Sequence, residues 1–134
     1  MRFLPTKYHA LGDYASAAAL YALPFAFGFG DVAAATALCL LAGTGVLILT
    51  LMTNFEGGVL RAVPVPVHLT IDAALGAGLL LAAAGFGAAY GFDDAAHIWA
   101  PLAAVGAAEI VAALVTEKTS PVPNVDTEPG TGPG

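Results

Sequence analysis

The architecture of the chain follows from the segment Pro64-Val65-Pro66-Val67-His68-Leu69-Thr70-Ile71-Asp72, because this segment repeats the beginning of the protein. Near the N-terminus the chain reads Pro5-Thr6-Lys7-Tyr8-His9-Ala10-Leu11-Gly12-Asp13, with proline, histidine and aspartate at the same spacing. Both segments lead into a long apolar stretch. We therefore expect two tandem units, each of which opens with the pattern Pro-x3-His-x3-Asp.

The composition is that of a membrane protein. Of the 134 residues, 58% are hydrophobic and only 10% are charged, whereas soluble domains carry about 25% charged residues. A bilayer core of about 30 Å needs about 20 apolar residues at a helical rise of 1.5 Å. Three stretches between successive charged residues meet this length when their helical flanks are included. A fourth span, roughly Ala95 to Thr116, is possible if Glu109 lies inside it. We predict an all-α bundle of four transmembrane helices.

The two units are predicted to be parallel helical hairpins that cross the membrane and return. Repeat 1 is expected at about residues 5–54 and repeat 2 at about 64–116, within a transmembrane domain of residues 1–117. Two such hairpins share one orientation and are related by an axis along the membrane normal. Residues 118–134 are rich in proline and glycine and poor in large apolar residues. This composition predicts a disordered cytoplasmic tail.

Two sequence offsets relate the units to each other. The first helices align at an offset of 59, and the turns and second helices align at 63. The difference of four residues is about one α-helical turn, and we expect it as an insertion in the first helix of the second unit. The pairs at 59 are His9 and His68, Asp13 and Asp72, and Leu20 and Leu79; those at 63 are Phe29 and Phe92, Asp31 and Asp94, Gly43 and Gly106, and Thr53 and Thr116.

The basic residues predict the orientation in the membrane. All four lie at the N-terminus, in the middle loop or after the last helix. The charged residues of the two hairpin turns are all aspartates. By the positive-inside rule, we expect both termini and the middle loop to be cytoplasmic. The expected location is the inner (cell) membrane. The formal net charge of −6 argues against a nucleic-acid partner. The basic residues are Arg2, Lys7, Arg61 and Lys118.

A family resemblance rests on the residues that follow each His-x3-Asp pattern. The first unit continues with an apolar helix and Leu23-Pro24-Phe25-Ala26-Phe27-Gly28-Phe29, and the second with Phe86-Gly87-Ala88-Ala89-Tyr90-Gly91-Phe92. Over residues 5–117 this arrangement resembles the SPW-repeat family of small bacterial and archaeal membrane proteins. The motif of that family is Ser-Pro-Trp before Phe-Gly-Phe, and here the serine and tryptophan are missing. The resemblance implies the four-helix fold and no particular activity.

Candidate functional chemistry lies at the two His/Asp pairs. Because residues four apart share a helix face, His9 can approach Asp13 and His68 can approach Asp72. If both helices face the bundle axis, these side chains form one polar cluster near the cytoplasmic surface. Such a cluster could relay protons or bind a divalent metal. We favour a structural role, because His/Asp pairs satisfy each other and helix N-termini favour carboxylates; a metal or another cofactor is not expected.

Glu109 is the fifth candidate residue. It lies inside the fourth helix, and Val46 occupies the equivalent position of the first unit. A carboxyl group there needs a partner, for which Thr44, Tyr8 or a histidine are candidates. We favour a buried hydrogen-bonded or protonated carboxyl over a proton-transfer site.

The leading functional expectation is a non-enzymatic structural or interaction module in the lipid bilayer. Its Gly/Ala-rich faces suit a homo-oligomer or a membrane-protein partner. The alternative is a proton-coupled or ion-conducting protein. No Gly-x-Ser-x-Gly, phosphate-binding loop or Cys-x2-Cys pair supports an enzyme. The residues that the alternative would use are His9, Asp13, His68, Asp72 and Glu109.

Overall fold

Residues 2–123 are described by a computed structural model, and this part of the chain is all-α. The prediction of an all-α fold with four helices is therefore confirmed. The sequence of 124–134, most of the predicted disordered tail, lies outside the described residues, and residues 118–123 form no helix or strand. The helices are α1 (Thr6–Ala26), α2 (Ala33–Met52), α3 (Val65–Tyr90) and α4 (Ala96–Val115).

The first helix ends at Ala26, three residues before Phe29. Pro24 lies in its last turn, and the carbonyl of Pro24 accepts a hydrogen bond from the Phe29 amide at 2.9 Å. Gly28 has a φ of +72°, a left-handed conformation that commonly closes helices and that glycine adopts without strain. Phe27 and Phe29 therefore lie in the turn after α1 and not in the helix.

Sequential helices pack in pairs, α1 against α2 and α3 against α4. Glycines allow close approach in both pairs. A Cβ atom on Gly43 would lie 3.2 Å from the carbonyl oxygen of Ala17, and one on Gly106 would lie 2.7 Å from that of Gly76. Within each pair, the two helices thus approach each other at small residues, as is typical of membrane helices.

The main core fills the half of the bundle next to the two hairpin turns. It includes Leu20, Phe29, Cys39 and Leu102, all fully buried. The outer surfaces of the helices expose large apolar side chains, such as Leu81 at 76%. An apolar exterior of this kind is typical of a surface that faces lipid or a partner.

Within residues 2–123, three helices are long and apolar enough to cross a membrane, namely α2, α3 and α4. This finding supports a multi-pass membrane protein, but the prediction of four spanning helices is met only in part, because α1 does not reach the same apolarity. The physical reason is that α1 has only 21 residues and carries Lys7, Ser16 and three tyrosines in addition to its His/Asp pair. The equivalent helix α3 has 26 residues and continues as a long apolar stretch beyond its own pair. Polar side chains that face inward lower the hydropathy of a helix without making its outer surface polar.

Short backbone pairings join the chain ends and the middle loop to the helix ends. Leu4 pairs with Thr116 just after α4, and Val63 pairs with Thr53 just after α2. These contacts hold the N-terminal segment against the end of α4 and the middle loop against the end of α2. All of them lie at the same end of the bundle as the starts of α1 and α3.

Candidate polar site between α1 and α3

Four ionisable side chains meet in the interior where α1 and α3 begin. His9 and Asp13 lie one turn apart on α1, and His68 and Asp72 lie one turn apart on α3. All four residues are at most 2% exposed. We call these four residues the His/Asp cluster.

The cluster is centred on the two Nε2 atoms of the imidazoles, which are 3.2 Å apart. Each Nε2 atom also faces a carboxylate of the other helix, at 3.0 Å from His9 to Asp72 and 3.1 Å from His68 to Asp13. The distances within each helix are 3.4 Å from His9 to Asp13 and 2.8 Å from His68 to Asp72. One oxygen or nitrogen from each of the four residues lies within 4.8 Å of all the others. The two expected pairs are therefore merged into a single site.

The outer nitrogen of each imidazole contacts a threonine. His9 Nδ1 lies 2.9 Å from the hydroxyl of Thr116, and His68 Nδ1 lies 2.7 Å from the hydroxyl of Thr53. Each threonine hydroxyl is also 2.6 Å from a helix carbonyl four residues earlier, of Ala112 or Leu49. A hydroxyl has one proton, and so short a contact with a carbonyl requires it.

The hydrogen-bond chain therefore assigns the protons on the rings. Since each hydroxyl donates to its carbonyl, its oxygen accepts a hydrogen bond from Nδ1–H of the imidazole. A neutral histidine protonated at Nδ1 carries a lone pair on Nε2. In their neutral form, both rings direct these lone pairs at the centre of the cluster, toward the two carboxylates.

Thr53 and Thr116 are equivalent positions of the two units, but their contacts with the histidines were not expected from the sequence. The sequence feature that could have pointed to them is that a threonine recurs at this position at the offset of 63. A third threonine, Thr50, lies 3.3 Å from Asp13 and also donates to the carbonyl of Val46 at 2.8 Å. Its equivalent position in the second unit is Ala113, so this contact is made by one carboxylate only.

Glu109 lies beside the His/Asp cluster, but in the described structure none of the four cluster residues is hydrogen-bonded to it. It is 2% exposed, and its Oε1 atom has no hydrogen-bond partner. The expected partner Thr44 instead bonds to Tyr21 at 2.7 Å, and the group that interacts with the carboxyl is Ser16. Ser16 was not among the partners of Glu109 that were expected from the sequence.

A small cavity adjoins the cluster between α1 and α4. Its volume is about 120 Å³, and its walls are mainly apolar. The polar residues that line it are His9, Asp13, Ser16 and Glu109, with Tyr8 at its edge. Glu109 and the α1 half of the cluster thus line the same cavity.

Comparison of the chain with protein-family models, with curated protein sequences and with solved structures finds no match. The functional interpretation therefore depends on the geometry of the site itself.

Proposed function

We propose that the protein is a non-enzymatic membrane protein, a structural or interaction module whose His/Asp cluster fastens its two halves together. The halves are the helix pair α1 with α2 and the helix pair α3 with α4. The observation that carries this proposal is that every imidazole of the cluster binds residues of the opposite half. The contacts are His9 with Asp72 and Thr116, and His68 with Asp13 and Thr53.

The proposal includes α1 as a fourth spanning helix. Its 21 residues give a length of about 31 Å at 1.5 Å per residue, which matches a bilayer core. After Lys7, the exposed residues of α1 include Tyr8, Leu11 and Phe25, and none is charged. An inward polar face and an outward apolar face suit a membrane helix in a bundle.

The proposal also treats the two halves as repeats, and matching backbone contacts support this. The carbonyl of Val115 accepts hydrogen bonds from the amides of residues 3 and 4, and Glu117 donates back to Leu4. In the same way, the carbonyl of Met52 accepts hydrogen bonds from the amides of residues 62 and 63, and the Asn54 amide donates to the carbonyl of Val63. Every partner is displaced by the offset of 59 or 63. The close approaches of Gly43 to Ala17 and of Gly106 to Gly76 follow the same two offsets.

A relationship to the SPW-repeat family is part of the same proposal. It rests on the repeated Pro-x3-His-x3-Asp pattern and on the proline and aromatic residues at Pro24 and Phe25. The proposed location is the cell membrane, with both termini cytoplasmic, because the four basic residues lie at the end of the bundle that holds the cluster. The proposed partners are lipid and a second copy or another membrane protein. Exposed helix glycines such as Gly45 and Gly78 suit close helix contact.

Cysteine labelling in cells tests the membrane topology. Cys39 is the single cysteine, so a Cys39→Ala background accepts one new cysteine at a time. We expect an impermeant maleimide to label Asp31→Cys and Asp93→Cys from outside, and Phe3→Cys and Lys118→Cys only after lysis. Labelling of positions 3 and 31 from the same side would contradict a spanning α1.

A proton-coupled or ion-conducting function is the second candidate, and Glu109 is the observation that favours it. A buried carboxyl with an unpaired oxygen, next to a cavity that reaches His9 and Asp13, is unusual for a purely structural residue. Proteoliposomes loaded with a pH-sensitive dye distinguish the two candidates. The leading proposal expects equal proton flux for the wild type, the Asp13→Asn/Asp72→Asn variant and protein-free vesicles. Wild-type flux that both this variant and Glu109→Gln abolish would establish the second candidate instead.

A further inference from the structure

We propose that the His/Asp cluster is a binding site for one divalent transition-metal ion, with Zn²⁺ as the best fit, that links α1 to α3. The proposal rests on the function proposed above and names the ligand of the same site. The four ligands would be Nε2 of His9, Nε2 of His68 and one carboxylate oxygen each of Asp13 and Asp72.

The distances between the donor atoms fit a tetrahedral ion. Zinc bonds to imidazole nitrogen and carboxylate oxygen are about 2.0–2.2 Å long, which places neighbouring ligand atoms about 3.4 Å apart in a tetrahedron. The nitrogen–nitrogen distance in the cluster is 3.2 Å. The nitrogen–oxygen distances run from 2.8 to 3.4 Å, and Asp13 makes its two with different oxygens, Oδ1 toward His9 and Oδ2 toward His68. One donor atom from each of the four residues lies within 4.8 Å of the others, so the four donors surround one point.

The threonines provide the second shell that such a site requires. Metal-bound histidines usually donate the other ring N–H to an oxygen, which sets the tautomer and the orientation of the ring. The hydroxyl oxygen of Thr116 accepts this hydrogen bond from His9, and that of Thr53 accepts it from His68. Both hydroxyl protons are held by helix carbonyls. The rings are thus fixed with Nε2, the metal-binding atom, toward the centre.

Charge balance also favours a dication. Two neutral imidazoles and two carboxylates carry a net charge of −2 in a fully buried site, and such a charge is costly without compensation. One proton shared between the Nε2 atoms would leave −1. Two imidazolium rings would neutralise the site, but their Nε2–H groups would point at each other across 3.2 Å. A divalent ion neutralises the charge and replaces that repulsion with two bonds.

The ligand set selects the class of metal. Two imidazole nitrogens with two carboxylate oxygens suit Zn²⁺ and neighbouring first-row ions, whereas Ca²⁺ and Mg²⁺ take six or more ligands, mostly oxygen. Cys39 lies in the separate apolar core and is not a ligand. Four protein ligands that are all buried describe a closed site, which is typical of structural zinc. The cavity lined by Asp13 and Glu109 provides an entry path on the α1–α4 side.

The test is metal analysis of the full-length protein, purified in detergent with an affinity tag that contains no histidine. We expect about one zinc per chain by elemental mass spectrometry. Chelation should lower the melting temperature, and Zn²⁺ added alone should restore it. Co²⁺ added to the chelated protein should give the intense visible absorption of tetrahedral coordination.

Variants assign the metal to the cluster. His68→Gln and Asp72→Asn should lose the metal, whereas His97→Gln, at an exposed histidine, should keep it. If the ligand variants fail to fold, Thr116→Val serves instead, because loss of a second-shell partner lowers metal affinity about 10- to 100-fold. A metal-free wild type whose melting temperature does not respond to Zn²⁺ or Co²⁺ would overturn the metal site. If Asp13→Asn/Asp72→Asn is still destabilised in that case, the structural role of the cluster remains.

Discussion

The Nδ1 atom of His9 lies 2.9 Å from the hydroxyl of Thr116, although 107 residues separate them in the sequence. The contact ties the first turn of α1 to the residue that follows α4. Its counterpart joins His68 to Thr53 at 2.7 Å. Together the two hydrogen bonds close the bundle at one end and orient both imidazoles toward the centre of the cluster.

Removing either threonine hydroxyl should destabilise the protein. In Thr53→Val or Thr116→Val, the shape is nearly preserved but a buried Nδ1–H loses its acceptor, which costs about 1–3 kcal/mol. Unfolding in mixed detergent micelles measures the change in the free energy of unfolding. Thr53→Ser and Thr116→Ser keep the hydroxyl and should lie closer to the wild type. Valine variants as stable as the wild type would show that the threonines do not hold the rings.

The carboxylates of the cluster should be far more sensitive than those of the turns. Asp13→Asn or Asp72→Asn removes one of the two buried anions that face the imidazoles, and breaking a buried ion pair typically costs about 3–5 kcal/mol. Because both aspartates contact the same two rings, the double variant should lose less than the sum of the single losses. The matched controls are Asp31→Asn and Asp93→Asn, both exposed, which should change stability little. Similar losses at all four positions would contradict this prediction.

Helix approach at Gly106 should be intolerant of a methyl group. A Cβ there would lie 2.7 Å from the carbonyl oxygen of Gly76 and 3.0 Å from Leu79 Cβ, so Gly106→Ala must push α3 and α4 apart. We expect a loss of about 1–3 kcal/mol, the usual cost of overpacking. Gly45→Ala and Gly78→Ala are the controls, because no atom lies within 4 Å of the added Cβ at either position. Those two variants should have unchanged or raised melting temperatures, since alanine favours helix.

Glu109 should respond in the opposite way to the aspartates of the cluster. None of the described residues forms a hydrogen bond with its Oε1 atom, so Glu109→Gln removes the ability to ionise without removing a hydrogen bond from that atom. We expect thermal stability in detergent to be unchanged or higher. A clear destabilisation would mean that the carboxylate itself holds α4 in place. Metal content should remain that of the wild type, because Glu109 is not a proposed ligand.

The parts of this molecule that sequence reasoning could predict are those that depend on local pattern. Uncharged stretches of about 20 residues, bounded by turns at Gly30 and Gly91, predict four helices, because helix length and apolarity are properties of each segment alone. The spacing of His9 to Asp13 and of His68 to Asp72 likewise places each pair on one helix face. The four residues of the His/Asp cluster could be predicted as candidates from this spacing.

The contacts between helices were decided by tertiary structure alone. Which atoms meet depends on the rotation and depth of each helix, and these result from packing summed over the whole bundle, including the approach at Gly43 and Gly106. For that reason the sequence by itself determined four helices and two His/Asp pairs on them. Only the folded bundle brought both Nε2 atoms to 3.2 Å, gave each ring a threonine from the opposite half, and left Glu109 beside a cavity with an unpaired oxygen.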